Sequence, residues 1–196
     1  MTPYISDRSF TDYIHKNIAI PKIYNPLGWS KIDRDTLEAE HDDIFNGIDY
    51  AFNDGSKMVS VQERFREKKY AIYSDFTIRY RRDRNALTDR HESEYYKMKA
   101  NYFVYGITNC EKIRINNCSD FLKYAVVDLE KVYSKLDEGL IIISDNNKNN
   151  CEIVDGKIIC PIKYNRDGSS SFFPIEISHL INLWGPEMVI AQKGFI

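Results

Sequence analysis

The segment NGIDYAFNDGSKMVSVQERFREKKYAIYSDFTIRYR, residues 46–81, decides the fold that the sequence predicts. Three runs within it, residues 46–52, 58–66 and 73–81, are rich in β-branched and aromatic residues, as is typical of strands. The link between the first two, residues 53–56, is Asn-Asp-Gly-Ser, which favours a tight turn. We therefore predict that the three runs form an antiparallel meander.

Helical and extended patterns flank the meander on both sides. Residues 7–18 and 33–43 precede it and predict two helices, the first because its apolar residues recur at helical spacing. Residues 88–99 predict a third helix, residues 101–108 a strand buried on both faces, and residues 123–129 a further strand. A strand that is reached through a helix is able to pair in parallel with the meander. The pattern indicates a mixed α/β fold.

The chain of 196 residues is long enough for one domain with a small appendage. We assign residues 1–125 to the core and residues 126–196 to a β-rich C-terminal extension that packs on it. A hairpin is predicted at residues 151–160, where Asp155-Gly156 supplies the turn. We expect the extension to serve recognition or dimerisation rather than to fold alone.

Composition excludes several classes of protein. No apolar run approaches the roughly 18 residues that a membrane-spanning helix needs, and the N-terminal residues lack the apolar region of a secretory signal. The spacing of the four cysteines does not match a structural zinc site, so we expect plain thiols at positions 110, 118, 151 and 160. Ile outnumbers Leu by 25 to 9, a bias of AT-rich genomes. We expect a cytoplasmic protein of a bacterium or a phage-infected cell.

The near-neutral net charge of −2 conceals an uneven distribution. Residues 1–55 carry 5 basic and 10 acidic side chains, whereas residues 56–84 carry 9 basic and 4 acidic ones. An acidic segment therefore leads directly into a basic hairpin. The total alone would argue against nucleic acid as a partner, but this distribution does not.

Four residues of the predicted hairpin form a pattern suited to hydrolysis of phosphodiesters. Asp49 lies within an apolar run, and Gln62, Glu63 and Arg64 follow on the next strand. Carboxylate and amide oxygens hold Mg²⁺ or Mn²⁺, which polarises a phosphate and activates water, while a cation steadies the developing charge. A structural salt bridge between Asp49 and Arg64 is the simplest alternative explanation.

The side-chain directions on the second strand leave two possibilities open. Strict alternation places Gln62 and Arg64 on one face, toward Asp49, and Glu63 on the other. A bulge would instead turn Glu63 toward the metal. A further acid is expected from the segment just upstream, where the candidates are Glu38, Glu40, Asp42 and Asp43.

This arrangement, over residues 33–108, resembles the PD-(D/E)XK nuclease superfamily, which includes many restriction endonucleases. The resemblance implies a core of helix, three-stranded meander, helix and strand. Asp49 then matches the central metal-binding aspartate, Gln62 the (D/E) position, where some members carry Gln, and Arg64 the usual Lys. Glu40 or a neighbour matches the additional carboxylate on the helix. The implied metal ligands are Asp49, Glu63 or Gln62, and Glu40.

The third predicted strand adds cations beside this site. Its polar positions alternate with Phe76, Ile78 and Tyr80, so one face is polar and the other apolar. Phosphate binding by arginine side chains is expected along this region, and the candidates are Arg66, Arg79, Arg81, Arg82 and Arg84. An ordinary solvated edge strand explains the same alternation equally well.

The sequence therefore predicts a Mg²⁺- or Mn²⁺-dependent DNA endonuclease, with DNA as partner and with a homodimer expected if both strands are cut. Two alternatives remain: an inactive DNA- or protein-binding module on the same fold, and a phage–host interaction protein with an acidic surface. His15, His41, His91 and Glu94 are expected at the surface, outside the site.

Overall fold

The computed structural model describes residues 3–81, 93–145, 148–166, 168 and 170–196. They form a mixed α/β fold with a six-stranded sheet and two three-stranded sheets. The predicted α/β class is confirmed. No helix among these residues is long and apolar enough to cross a membrane.

The helices pack on both faces of the largest sheet. They are α1 (Pro3–Ile14), which continues as a π-helical segment (His15–Tyr24), α2 (Thr36–His41), which continues as a π-helical segment (Asp42–Asn46), α3 (Glu94–Lys97), α4 (Leu129–Asp137) and α5 (Ile177–Trp184). Phe10, Ile14 and Ile18 are buried on one face of the first helix, as the apolar spacing predicts. The helix over residues 7–18 is confirmed and extends beyond them at both ends.

The strands follow in chain order. They are β1 (Ser30–Ile32), β2 (Tyr50–Asn53), β3 (Met58–Arg66), β4 (Asp75–Arg81), β5 (Tyr102–Thr108), β6 (Phe121–Asp128), β7 (Ile141–Ser144), β8 (Glu152–Val154), β9 (Lys157–Pro161), β10 (Lys163–Tyr164), β11 (Ser171–Glu176) and β12 (Val189–Lys193). The main sheet has the order β1-β2-β3-β5-β6-β12, and the smaller sheets are β10-β11-β4 and β7-β9-β8.

The β2–β3 hairpin and its parallel neighbour β5 match the sequence prediction. In the connecting turn, Asp54 Oδ1 accepts hydrogen bonds of 2.8 Å from the backbone nitrogens of Ser56 and Lys57, and Gly55 has a positive φ of 95°. A carboxylate that receives these bonds fixes the turn locally, which is why four residues of sequence sufficed to predict it.

The strand predicted at residues 73–81 is present as β4, but its predicted place in the meander is wrong. β4 pairs with β11 in a separate sheet, and the main-sheet meander is β1-β2-β3 instead. Phe76, Thr77 and Ile78 are consecutive buried residues of β4, so both faces of this strand are covered. Its partner lies some hundred positions later in the chain, and no local pattern identifies so distant a pairing.

The second predicted helix is confirmed, with shifted bounds. Asp35 precedes α2 and caps it by accepting a 2.8 Å hydrogen bond from the nitrogen of Leu37. Of the predicted helix at 88–99, α3 is the helical part that the structure describes. His91, which the sequence places on that helix, lies outside the described residues.

The C-terminal residues complete two sheets that they share with the rest of the chain and form the third, β7-β9-β8, themselves. β6 spans the predicted boundary at residue 125, and β12 pairs with it as an edge strand of the main sheet. The predicted hairpin at 151–160 forms β8 and β9. Its turn residues Asp155 and Gly156 have φ values of 49° and 74°, the positive pair that an Asp-Gly hairpin turn requires.

Two apolar cores lie on opposite faces of the main sheet. The first helix covers one face, with Tyr24, Val61 and Phe65 in that core. The two smaller sheets, α4 and α5 cover the other, with Phe103 and Phe173 in the second core. Val61 and Phe65 on one face of β3 belong to the core under the first helix. The candidate site forms around this strand.

The cysteines depart from the predicted plain thiols at one pair. Cys110 and Cys118 form a disulfide with their Cα atoms 5.1 Å apart, within the range of disulfide geometry. Cys110 follows β5 and Cys118 precedes β6, so pairing of these antiparallel strands brings the two residues together. Cys151 and Cys160 are free and buried, in agreement with the prediction.

Candidate functional site

A groove with a volume of about 990 Å³ opens along β3. The predicted site residues that line it are Glu40, Asp49, Gln62, Glu63, Arg64, Arg66 and Arg79. Arg81 does not line it, because it ends β4 opposite Ser171 with its guanidinium 4.9 Å from the Tyr80 ring centre. Arg82 and Arg84 lie outside the described residues.

The side-chain directions on β3 follow strict alternation. Its pairing with β2 and β5 has no register shift, so the bulge that would turn Glu63 toward Asp49 is absent from this strand. Gln62 and Arg64 are half-buried on one face of β3 and Glu63 is buried on the other, and the groove is lined by residues of both faces. The position facing Asp49 thus belongs to Gln62.

Asp49 is held directly before β2 by the neighbouring strand. Its nitrogen donates to Val61 O (2.9 Å), and its Oδ2 accepts from Gln62 Nε2 (2.8 Å) and from the nitrogen of Glu63 (2.6 Å). Both side-chain hydrogen bonds within the described residues end on Oδ2, which leaves Oδ1 for a further ligand. Asp49 has no ion pair with a cationic side chain in this part of the chain.

The Asp49 carboxyl is electrostatically uncompensated. Burial raises its pKa to about 8, the hydrogen bond from the backbone of Glu63 opposes that change, and the charges of Glu63, Asp43 and Glu94 add to it. A carboxyl with so high a pKa is protonated at neutral pH unless a cation stabilises its ionised form. This is the most perturbed acid of the groove, and perturbed acids in clefts are frequent at functional sites.

Glu63 has a different environment on the other face of β3. Its fully buried carboxylate lies 2.8 Å from His15 Nδ1 and accepts a hydrogen bond from the hydroxyl of Tyr24. The His15 ring stacks on Tyr50 with centres 3.6 Å apart. His15 is therefore a buried partner of Glu63, and its predicted surface position is wrong. Among the described residues, Glu63 Oε2 and His15 Nε2 have no hydrogen-bond partner.

Arg64 is anchored rather than free in the groove. Its Nη1 donates to Thr77 O (2.7 Å), and its Nη2 forms an ion pair with Glu94. Glu94, predicted at the surface, is instead buried. Burial acts to raise the pKa of Glu94, but the charges of Arg64 and Arg79 outweigh it and lower that pKa. The alternative of an Asp49–Arg64 salt bridge is not what forms, since the partner of Arg64 is Glu94.

The helix that precedes β2 supplies the additional acids. Asp42 is paired with Arg34 (2.7 Å), whose Nη2 also donates to the backbone oxygen of Asp49 (2.9 Å). Asp43 lies close enough to raise the pKa of Asp49, and both Asp43 and Glu40 line the groove. Asp43 thus lies near Asp49, whereas the predicted Glu40 is placed only on the lining of the groove.

The groove is almost balanced in formal charge. Its acidic lining residues are Asp12, Glu40, Asp43, Asp49, Glu63, Glu67 and Glu94, and its basic ones are Arg8, Arg34, Arg64, Arg66, Arg79 and Lys112. The arginines of β3 and β4 surround Glu94, whereas acids surround Asp49. We call the surroundings of Asp49 and Asp43 the acidic end of the groove. It adjoins the arginines, because Glu94 also acts on Asp49 and Arg34 donates to the Asp49 backbone oxygen.

Sequence reasoning missed the residues that support this site. His15, Tyr24, Arg34 and Glu94 contact the predicted residues, but they come from elements between 15 and 48 positions away in the chain. Arg34 lies in the acidic segment beside the candidates at positions 38–43, and its charge there was the one available signal. Nothing local marked the other three.

The donor set at the acidic end fits a hard divalent cation. Within the described ranges, no three His, Cys, Asp or Glu side chains are grouped to hold a metal ion. Mg²⁺ keeps several waters, however, and needs only one or two carboxylates with other oxygen ligands. The Asp49 carboxylate and the amide oxygen of Gln62 are ligands of that kind, and in this structure Gln62 turns its amide nitrogen toward Asp49.

Comparison with known proteins found no relationship for this chain. No protein-family model matches it, and no curated protein or solved structure does so either. The contacts, charges and burial around Asp49 therefore carry the functional argument.

Proposed function

We propose that this protein is a metal-dependent nuclease that hydrolyses phosphodiester bonds of DNA. The observation that carries the proposal is the Asp49 carboxyl, without an ion pair among the described residues, beside Gln62 at the acidic end of a groove that Arg66 and Arg79 also line. Acids that hold a cation next to arginines that hold phosphate are what this reaction requires.

The charge balance of the groove supports a metal ion as part of the site. Seven acidic and six basic side chains line it among the described residues, so the groove alone gives a polyanion little electrostatic attraction. A divalent cation at Asp49 would turn the acidic end into a second phosphate-binding point.

Asp49 and Gln62 would hold the cation, with Asp43 or Glu40 contributing directly or through water. A bound Mg²⁺ or Mn²⁺ would polarise the phosphate and lower the pKa of a bound water. Glu63 would act through its backbone nitrogen, which orients the Asp49 carboxylate (2.6 Å). Its side chain is held by His15 and Tyr24 on the buried face of β3.

The arginines have separate tasks in this proposal. Arg64 holds β3 against β4 through Thr77 and Glu94, so direct phosphate contacts fall to Arg66 and Arg79. Arg81, Arg82 and Arg84 are proposed to contact the DNA backbone beyond the groove. Cleavage of both strands would require two copies of the site, which is why a homodimer belongs to the proposal.

The topology is consistent with a restriction-endonuclease-like core, which we include in the proposal. The first helix, the β1-β2-β3 meander and the parallel strand β5 support it. The place of β4 in a separate sheet is the main departure from that core.

Cleavage assays test the proposal. Supercoiled plasmid, single-stranded DNA and RNA are incubated with the protein in Mg²⁺, in Mn²⁺ and in EDTA. The wild type is expected to cut DNA only with a divalent metal, and Asp49→Ala to be inactive, whereas Asp137→Asn, an exposed acid at the end of α4, retains full activity. Equal activity, or equal inactivity, of the wild type and Asp49→Ala would overturn the assignment.

A second candidate is a non-catalytic DNA- or protein-binding module on the same fold. The observation that favours it is the Arg64–Glu94 ion pair, which occupies the cation that the reaction would use at the phosphate. Calorimetric titration separates the two functions. A nuclease site binds Mn²⁺ in the wild type and loses that binding in Asp49→Asn, whereas a binding module takes up no metal at Asp49 and binds DNA equally well in EDTA.

A further inference from the structure

We propose that Cys151 and Cys160 form a second, reversible disulfide, so that the chain has a redox-sensitive link in its β8–β9 hairpin. The two sulfur atoms are 3.8 Å apart. β8 and β9 pair Glu152 with Ile159, and the next pair in the same register, away from the turn, is Cys151 with Cys160. Neither residue belongs to the proposed nuclease site.

The surroundings hold the two thiols in place. The Cys151 thiol donates a 2.8 Å hydrogen bond to the backbone oxygen of Pro174 on β11, and both cysteines belong to the apolar core that includes Ile158 and Phe173. Bond formation requires the sulfurs to approach from 3.8 Å to about 2.05 Å. Two side chains fixed on paired strands make that approach without rearrangement of the hairpin.

Burial sets the order in which the two thiols react. Cys151 retains 8% of its accessible surface and Cys160 retains 0%, so an external disulfide reaches Cys151 first. The hydrogen bond with Cys151, followed by burial, raises the pKa of the Cys160 thiol, which makes it a poor initial nucleophile. Once Cys151 carries glutathione, its own interactions no longer raise the pKa of Cys160, and the Cys160 sulfur, 3.8 Å from that of Cys151, is placed to resolve the mixed disulfide.

A low-molecular-weight disulfide such as oxidised glutathione is the class of oxidant that completes the reaction. The Cys151 thiolate attacks one sulfur, the glutathione S–S bond breaks, and one glutathione thiolate leaves. The Cys160 thiolate then attacks the Cys151 sulfur, and the second glutathione leaves. Two protein thiols are oxidised, one glutathione disulfide is reduced to two glutathione thiols, and the two thiol protons pass to those products.

The bond would stabilise one wall of the fold. β9 is the central strand of its sheet and lies against β11, which pairs with β4 of the groove wall. Closing the short loop between residues 151 and 160 removes conformational freedom from the unfolded chain. We expect the oxidised protein to melt about 5–10 °C higher than the form reduced at this pair.

Mapping of the disulfides in the wild-type protein tests the proposal. The protein is reduced with dithiothreitol, equilibrated in glutathione buffers of increasing oxidised fraction, alkylated and digested without reductant before mass spectrometry. A peptide pair linked through Cys151 and Cys160 is the expected product. Alkylation of both residues in buffers that link Cys110 to Cys118 would overturn the proposal, as would pairing of either residue with another cysteine or another molecule.

Two matched variants test the order of attack. Cys160→Ala is expected to accumulate a mixed disulfide with glutathione at Cys151, whereas Cys151→Ala is expected to remain unmodified at the buried Cys160. Equal modification of both variants would contradict Cys151 as the entry residue. If either variant fails to fold, the wild-type map decides the proposal alone. Its result is independent of cleavage activity, because the map records only covalent linkage.

Discussion

The two faces of β3 treat a carboxylate in opposite ways. Glu63, on the helix side, is buried with His15 and Tyr24 as partners, whereas Asp49, held at the groove side, receives only neutral donors and keeps a pKa of about 8. Desolvation of a charge costs free energy that partners must offset. Glu63 is stabilised by contacts within the fold, whereas the ionised form of Asp49 depends on a bound cation.

The largest expected effect is on the stabilised face. Glu63→Ala removes the shared partner of His15 and Tyr24 and leaves a cavity in the core, so we expect the free energy of unfolding to fall by about 3–5 kcal/mol. Urea denaturation measures it, with Asp137→Ala as an exposed control that leaves stability unchanged. A loss no larger than that of the control would show that this network is not what stabilises the helix against β3.

The Arg64–Glu94 ion pair lies in the groove wall, where Arg64 links β3 to β4, and neither side chain hydrogen-bonds to Asp49. Glu94→Gln leaves the buried Arg64 charge without its counter-ion, and we expect a loss of about 3 kcal/mol. A double-mutant cycle with Arg64→Met measures the coupling. Additive losses in the double variant would contradict a direct interaction.

At Asp49, in contrast, replacement of the acid by a neutral residue is expected to stabilise the protein. Between pH 4 and 8 the folded state keeps a proton on Asp49 that the unfolded chain has released, because the folded pKa is raised from 3.8 to about 8. The free energy of unfolding therefore falls as the pH rises through this window. The roughly 3 pH units between 3.8 and 7 correspond to about 4 kcal/mol for a fully desolvated carboxyl. Asp49 is half-buried, so without metal we expect Asp49→Asn to be more stable than the wild type by about 2 kcal/mol at pH 7.

Thermal melts in EDTA and in Mn²⁺ check this prediction. Mn²⁺ is expected to raise the Tm of the wild type and to leave that of Asp49→Asn unchanged, since only the wild type has the carboxylate ligand. If Asp49→Asn melts below the wild type in EDTA at pH 7, the proposed contrast between Asp49 and Glu63 is wrong.

The smallest effect concerns an acid outside the comparison. Asp75 is directly opposite Glu176 across β4 and β11, and burial, followed by the Glu176 charge, raises its pKa to about 6. The folded state binds the extra proton between pH 4 and 6, so stability falls as the pH rises through that range. Asp75→Asn should gain about 1 kcal/mol at pH 7, and the gain should be the same with and without Mn²⁺, because the variant keeps Asp49. A gain that changes with Mn²⁺ would show that a raised carboxyl pKa does not distinguish the groove from the rest of the protein.

Local patterns predicted the parts of the fold that neighbouring residues decide. The turn at Asp54, the Asp-Gly hairpin at 155–156 and the apolar face of the first helix were all found where the sequence placed them. The alternation of β3 likewise predicted that Gln62 and Arg64 share a face. The predicted pairing of the third meander strand was wrong, because β4 pairs with β11, which lies far along the chain, and local patterns do not identify so distant a partner.

The candidate site shows the same division. By itself the sequence determined which residue types are available, and strand periodicity predicted that Gln62 and Arg64 share a face, while a bulge that would turn Glu63 toward Asp49 stayed open. The unbroken pairing of β3 in the structure decided in favour of Gln62. Only the tertiary structure decided which charges are compensated, because His15, Tyr24 and Glu94 reach their partners from distant elements. Compensation depends on desolvation and on distances through space, and neither is a property of neighbouring positions in the chain.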